Sequence, residues 1–168
     1  MHVVIQSTGR TFEIDPEDFG RIFDYRWCED RYGYVYCNKG LDKTTGKQKT
    51  IRLHRLIMDA APGTVIDHRD GDRKNNRKYN LRFCSHTQNR VNKGKPRHSN
   101  PTSIYKGVLF KKDKKRTKPW FVSIRINKKA RCVGYYKTEI EAAIAYDLAA
   151  TEHYGEFANL NFPVNVKK

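Results

Sequence analysis

The stretch from Val65 to Asn92 constrains this chain more tightly than any other, because polar residues and turn signals alternate within it at short spacing. Asp67 and His68 follow two β-branched residues, which is typical of the end of a strand. A polar loop with an Asp-Gly turn then leads to Asn80 and a short apolar step. The order predicted here is strand, loop and short strand.

A helix is predicted to begin directly after this step. Ser85 and Gln88 have the spacing of a capping box, in which each side chain bonds to the backbone of the other residue and so marks a helix start. Asn89 falls in the first turn of that helix. This geometry can bring Asp67 and Asn89 together although they lie far apart in the chain.

These residue types suggest metal-assisted phosphodiester cleavage. Asp67 and Asn89 each offer a hard oxygen, and Mg²⁺ is usually held by one or two carboxylates while phosphate oxygens and waters complete the octahedron. His68 points to the opposite side of the strand from Asp67, so it need not bind the metal. With an ordinary pKa of about 6.5, it can act as a neutral general base. The alternative is a polar loop with an incidental histidine.

The pattern DH-x-DG-x₃-NN-x₃-NL-x₇-N resembles the HNH nucleases of the ββα-metal fold, in particular those of phages and mobile introns. The resemblance implies that His68 is the general base and that Asp67 and Asn89 hold one divalent metal, Mg²⁺ or Mn²⁺. It also places Asn80 among the catalytic residues, as the middle asparagine that braces the loop through hydrogen bonds to the backbone.

The loop of this motif supplies further candidates. Asn75 and Asn76 match the family's loop asparagines and are expected to hold the turn. Arg69, Arg73 and Arg77 are expected to bind the phosphates that flank the cleaved bond.

The charge of the chain points to a polyanionic partner. Its 168 residues include 34 Lys and Arg against 18 Asp and Glu, a formal net charge of +16. A chain this basic is expected to bind nucleic acid. The four cysteines are scattered without a CxxC pair, so no zinc site is expected and the thiols are expected to be reduced.

No membrane association or export is expected. No apolar run approaches the roughly 18 residues that a spanning helix needs, and the first residues do not have the pattern of a signal peptide. The expected location is the cytoplasm of a bacterial host, with the gene carried by a phage or mobile element.

The first fifty residues have the β-branched and aromatic content of strands, followed by a short helix in LHRLIM. The YRW strand, the basic hairpin and LHRLIM also resemble the N-terminal part of phage HNH proteins. His54 lies outside the nuclease motif and is expected to pack beneath it, with a third catalytic histidine as the alternative.

The segment from Ser103 to Pro163 has a separate pattern of three strands and one helix. The middle strand alternates, so that Val122 and Ile124 face the helix while Arg125 faces away. The helix is predicted to begin at Thr138 with a second capping box. Its expected apolar face consists of Ile140, Ala143, Ile144 and Leu148.

This segment resembles the AP2 DNA-binding domain in IYKGV, WFVSIRI, EAAIAYD and NLNFP. By position, Lys106, Trp120 and Arg125 fall where that family contacts DNA. Arg131 is expected to flank the same exposed sheet face. Cys132 departs from the pattern, because the family usually has Trp there.

The sequence thus predicts an α+β protein with an HNH nuclease domain at residues 1–92, a basic linker at 93–102 and an AP2-like domain at 103–163. In the AP2-like domain, a three-stranded antiparallel sheet packs on one helix. The expected function is site-specific, homing-type cleavage of double-stranded DNA. One alternative is an AP2-type DNA-binding regulator with an inactive nuclease fold, and another is a protein that binds or cleaves RNA.

Overall fold

The computed structural model describes residues 1–5, 8–41, 43–94, 102–113, 115–127 and 129–163, which form two compact units, Met1–Asn89 and Arg90–Lys168. The predicted α+β class with antiparallel sheets is confirmed. Most of the expected linker 93–102 lies outside the described residues. Within these ranges, no helix combines the length and the apolar character that crossing a membrane requires.

The first unit contains three small antiparallel sheets and short helices, because its strands are brief and separated by turns. Its strands are β1 (His2–Val4), β2 (Thr11–Glu13), β3 (Trp27–Glu29), β4 (Val35–Leu41), β5 (Gln48–Arg52), β6 (Val65–His68) and β7 (Leu81–Cys84). Its helices are α1 (Phe19–Ile22), preceded by a 3₁₀ turn (Pro16–Asp18), α2 (Leu53–Ile57) and the start of α3 (His86–Asn92). β1 pairs with β2, β4 lies between β3 and β5, and β6 pairs with β7.

One hydrophobic core joins these elements. Phe12, Trp27, Leu53, Ile66 and Leu81 are buried members of it. Ile66 lies on β6 and Leu81 on β7, so the hairpin that bears the nuclease motif is anchored on the core of the unit. Burial of several such side chains is the main force that holds the hairpin in place.

The second unit is a three-stranded sheet covered by one long helix. Its elements are β8 (Val108–Phe110), β9 (Trp120–Ile126), β10 (Lys129–Tyr136), α4 (Glu139–Tyr154) and a 3₁₀ turn (Gly155–Phe157), and β9 is the central strand. Thr138 and Glu141 form the predicted capping box. Val122 and Ile124 are buried beneath α4, as the alternation of β9 predicted.

The predicted apolar face of α4 is wrong at three of its four positions. Ile140, Ile144 and Leu148 are 57%, 47% and 68% exposed, and only Ala143 is buried. The helix instead packs through small residues and one tyrosine: Ala142, Ala143, Tyr146 and Ala150. Small side chains let a helix approach a sheet closely, which three branched residues would prevent.

Gly107 shows how close that approach is. It has φ +74°, and a Cβ built on it would lie 2.0 Å from the Tyr146 ring. Only glycine accommodates both the backbone conformation and the ring at this position. The Gly in IYKGV is therefore required for packing of the strand entry against α4.

The C-terminal Asn-Leu-Asn-Phe segment is fastened to the buried carboxylate of Asp147. The backbone N–H groups of Asn161 and Phe162 donate to this carboxylate, each at 2.8 Å. The Asn161 side chain in turn accepts from the N–H of Lys106 at 2.6 Å. These bonds tie the end of the unit to its helix and to the segment that leads into β8.

Candidate active site

The register of the β6–β7 hairpin decides which motif residues share a face. Asp67 lies opposite Arg82, and His68 lies opposite Leu81. Directly opposed residues of an antiparallel pair project to the same side of the sheet. Asp67 and Arg82 therefore share one face, while His68 projects to the other, towards the core.

Asp67 forms a buried ion pair with Arg82. Nε and Nη2 of Arg82 donate to Oδ2 of Asp67 at 2.9 and 2.7 Å, and the two residues are 5% and 6% exposed. The guanidinium balances the charge of the carboxylate and fixes its direction. Sequence analysis did not single out Arg82, because only the strand register places it beside Asp67.

Asn89 reaches the same region through α3. The capping box forms: the Ser85 N–H donates to Gln88 Oε1 at 2.7 Å, and the Gln88 N–H donates to Ser85 Oγ at 3.2 Å. Burial, followed by the Asp67 charge, raises the pKa of the Cys84 thiol, while Arg82 and the Asn89 N–H oppose the rise. Asp67 and the first turn of α3 thus border the same thiol.

Asn80 holds the motif loop closed. Its side-chain Nδ2 donates to Asp70 Oδ1 at 2.9 Å and to the Asn75 carbonyl at 2.8 Å, and its Oδ1 accepts from the Asp70 N–H at 3.1 Å. Asn75 adds a bond from its Nδ2 to Asp70 Oδ2 at 2.7 Å. The amide of Asn80 is 2% exposed and fully engaged, so its contribution to the site is structural.

His68 is 5% exposed and lies beside Asn76. The Nδ2 of Asn76 donates to the carbonyls of Arg73 and Lys74, which turns its Oδ1 towards His68 Nε2, 3.4 Å away. An acceptor facing Nε2 favours the tautomer with the proton on Nε2, and Nδ1 then carries the basic lone pair. Asn76, which sequence analysis assigned only to the turn, therefore orients the imidazole.

The environment of His68 favours the neutral imidazole. Burial lowers the pKa of His68 below its ordinary value, although Asn76 and the nearby aspartates oppose this. Burial also lowers the pKa of His54 to about 3, with the His68 charge adding to the effect. The His54 ring lies 5.4 Å from that of His68, so His54 borders the site instead of lying in a separate part of the core.

The two residues expected to hold a metal offer hard oxygen ligands. Asp67 has a carboxylate and Asn89 an amide carbonyl, and Mg²⁺ accepts both kinds of oxygen together with phosphate and water. In the described part of the chain, no group of three or more His, Cys, Asp and Glu residues is arranged to hold a metal. Two protein ligands are few, but they fit a metal that is shared with the substrate.

The three loop arginines differ in how they are held. Arg77 pairs with Glu13 at 3.3 Å. Arg73 donates to the Tyr32 carbonyl, and its guanidinium carbon lies 4.6 Å from the centre of the Tyr34 ring. Arg69 is exposed, and its backbone N–H donates to the Asn80 carbonyl at 2.9 Å. Of the three, Arg69 is exposed, whereas Arg73 and Arg77 are half-buried.

In the second unit, two of the expected DNA contacts have structural roles. Nζ of Lys106 donates to the carbonyls of Val91 and Lys93 at 2.7 and 2.8 Å, and burial lowers its pKa to about 8. Trp120 packs against the core beneath α4. Lys106 binds backbone and Trp120 faces the helix, so neither lies on the exposed sheet face.

Arg125 and Arg131, the other two expected contacts, lie on opposite sides of the sheet. Arg131 pairs in register with the buried Ile124, whereas Arg125 pairs with Ala130. Arg131 therefore projects to the helix side, and the expectation that it flanks the exposed face is wrong. Both arginines are exposed.

The exposed sheet face carries a cationic and aromatic cluster that sequence analysis did not identify. The rings of Phe121 and Tyr135 lie 5.1 Å apart. Lys111 Nζ lies 5.2 Å from the Phe121 ring centre, and the Arg116 guanidinium carbon lies 4.9 Å from that of Tyr135. The alternation of β9 could have indicated this cluster, because its odd-numbered residues all project away from α4: Phe121, Ser123 and Arg125.

The site residues fall within a known family of nuclease domains. Residues 52–91 match the sequence model of the HNH endonuclease family, so the first unit contains an HNH endonuclease domain. The DNA endonuclease I-HmuI of Bacillus phage SP01 is 29% identical over 101 residues, which cover 55% of this chain and 53% of that protein. The chain thus spans about half the length of this relative.

A solved structure described as DNA binding and cleavage by the HNH homing endonuclease I-HmuI is 28% identical to this chain. The match covers 54% of this chain and 46% of that one, with a TM-score of 0.32.

Proposed function

We propose that this protein is a site-specific, homing-type DNA endonuclease whose HNH domain hydrolyses phosphodiester bonds. The observation that carries the proposal is the β6–β7 hairpin, where Asp67 and His68 are the last two residues of β6 and Asn80 closes the loop that follows. The similarity to a phage DNA endonuclease and the net charge of +16 both support DNA as the substrate. Incubation with supercoiled plasmid and Mg²⁺ tests the activity directly.

His68 is the general base in this proposal. Its imidazole would accept a proton from the attacking water, while Nε2 lies 3.4 Å from Asn76 Oδ1. The low pKa of His68 keeps the base neutral and ready at physiological pH. The products would be 5′-phosphate and 3′-hydroxyl ends.

Asp67 and Asn89 would hold one divalent ion, Mg²⁺ or Mn²⁺. When bound, such an ion neutralises the charge that develops on the phosphate and on the leaving 3′ oxygen. Arg82 keeps the Asp67 carboxylate in one direction before metal and substrate arrive. Arg69, Arg73 and Arg77 would bind the flanking phosphates, and Arg69 is the exposed one of the three.

Cleavage should require a divalent ion, whereas DNA binding should not. Excess EDTA should abolish plasmid cleavage while the shift of a DNA fragment in a native gel persists, because lysine and arginine contacts to phosphate need no metal. Adding back Mg²⁺ or Mn²⁺ should restore cutting. Undiminished cutting in EDTA would refute the metal assignment, and binding without cutting under every ion would favour the alternative of an inactive nuclease that acts as a regulator.

We further propose that the second unit is the AP2-like DNA-binding domain. Its exposed face combines Arg125 with the cluster of Lys111, Arg116, Phe121 and Tyr135. A two- or three-stranded sheet can enter the major groove, where Arg reads guanine with two hydrogen bonds. Lys114, expected to bind phosphate regardless of sequence, lies outside the described residues.

Arg125→Ala should weaken binding to the cognate site by about 1–3 kcal/mol and relax discrimination at one base position. Arg131→Ala is the matched control, because Arg131 is also exposed but projects to the opposite side of the sheet. Affinities on a panel of single-base target substitutions at fixed salt provide the measurement. An equal loss on every target, or equal effects of the two variants, would contradict base readout by Arg125.

A further inference from the structure

The aromatic rings of Tyr34, His54 and His68 form one cluster. The ring centres of His54 and His68 lie 5.4 Å apart with the planes nearly perpendicular. Tyr34 lies 5.5 Å from His54 and 6.2 Å from His68. His54 and Tyr34 come from α2 and the segment before β4, so the tertiary fold brings them to the general base.

The surroundings of Nδ1 in His54 indicate which of its two ring nitrogens carries the proton. Nδ1 is buried, and no described residue forms a hydrogen bond with it. A buried N–H without an acceptor costs more than a buried lone pair of a weak acceptor and is rare in folded proteins. The proton of the neutral imidazole therefore resides on Nε2, which makes His54 a hydrogen-bond donor through that atom.

Groups of both charges surround this cluster: nearby aspartates act on His68, and two arginines lie against Tyr34. The guanidinium carbons of Arg52 and Arg73 lie 5.2 and 4.6 Å from the centre of the Tyr34 ring. Arg52 also forms an ion pair with Asp30 at 2.5 Å, which balances its charge within the protein. Arg73 donates to a neutral backbone carbonyl, and its charge near the His54 donor favours an anionic oxygen.

We propose that His54 is a further substrate-contacting residue of the nuclease site, whose Nε2–H donates to a non-bridging oxygen of the DNA phosphate that is attacked with the help of His68. The inference rests on the proposed function. No proton is transferred: the hydrogen bond strengthens as negative charge grows on that oxygen, so it stabilises the transition state more than the bound substrate. His54 is half-buried as a residue, so it is not sealed within the core.

Two substitutions separate this role from simple packing. His54→Phe keeps an aromatic ring against His68 and Tyr34 but removes the donor, whereas His54→Gln loses the ring and keeps a donor. His153→Phe, at an exposed histidine of α4, is the control. Single-turnover cleavage of supercoiled plasmid in Mg²⁺ should fall about 10–100-fold in His54→Phe, the range for loss of one hydrogen bond to a charged group, and recover largely in His54→Gln.

The opposite order, in which Phe retains the rate and Gln loses it, would show a packing role and overturn the inference while leaving the proposed function intact. Imidazole ¹⁵N spectra of the wild-type protein in EDTA give a second readout. They should show His54 protonated on Nε2, with this proton moving downfield when a short DNA duplex is added.

A proton on Nδ1, or a His54 signal unmoved by DNA, would also overturn the inference. A wild-type protein that shows the DNA-dependent shift but cuts no plasmid would refute the nuclease activity and retain the phosphate contact.

Discussion

His68→Ala should lower the single-turnover rate of DNA cleavage by about 10²–10⁴-fold, the range for loss of a general base. The reason is the role that we propose for His68, whose imidazole would take the proton of the attacking water while Nε2 lies 3.4 Å from Asn76 Oδ1. The rate should be measured at saturating DNA and Mg²⁺, so that binding does not limit it.

Metal affinity should remain nearly intact in His68→Ala, because Asp67 projects to the other face of β6. Calorimetric titration with Mn²⁺ in the presence of DNA checks this, and a large loss of affinity would mean that the two roles are misassigned. The wild-type rate should also remain high below the ordinary histidine pKa of about 6.5. Burial lowers the pKa of His68, so the base stays neutral to lower pH. The fall of the cleavage rate on the acid side should therefore begin at a lower pH.

Arg82→Met should destabilise the first unit by about 3–5 kcal/mol, the cost of removing one partner of a buried ion pair. Methionine is of comparable length but carries no charge, so the carboxylate of Asp67, a residue 5% exposed in the native fold, would lose its guanidinium partner. Urea denaturation followed by tryptophan fluorescence measures the change, since Trp27 lies in the core of that unit.

Arg26→Met is the matched control for this experiment. Arg26 is exposed on the same unit, and such surface substitutions usually stay within about 0.5 kcal/mol. A loss below about 1 kcal/mol in Arg82→Met would mean that Asp67 does not depend on Arg82 for its charge balance. The Asp67 carboxylate would then have to be stabilised by other groups around β6.

Local signals in the sequence predicted local structure well. Both capping boxes form, at Ser85 and at Thr138, because each needs only residues three positions apart. The strand before Asp67 and the buried positions of β9 follow from β propensity and from period-two alternation. The HNH motif was recognisable for the same reason, since its loop and hairpin are contiguous in sequence.

The predictions that were wrong concern the surface against which a side chain packs. Ile140, Ile144 and Leu148 have the spacing of a buried face, but the sheet accepts the alanine side of α4, where the backbones can approach. Arg131 alternates as an exposed residue does, and only its pairing with Ile124 shows that it lies on the helix side. Lys106 lies in a segment that resembles a DNA-binding motif, yet its ammonium donates to backbone carbonyls.

The sequence by itself determined the nuclease motif, the order of elements and the basic character of the chain, because these depend on neighbouring residues and on composition. Only the tertiary structure decided that Arg82 balances Asp67, that Asn76 orients His68 and that His54 joins the site. Each of these contacts depends on strand register or on the packing of distant segments. Such contacts form only when the hydrophobic core packs, and no local pattern of residue types specifies them.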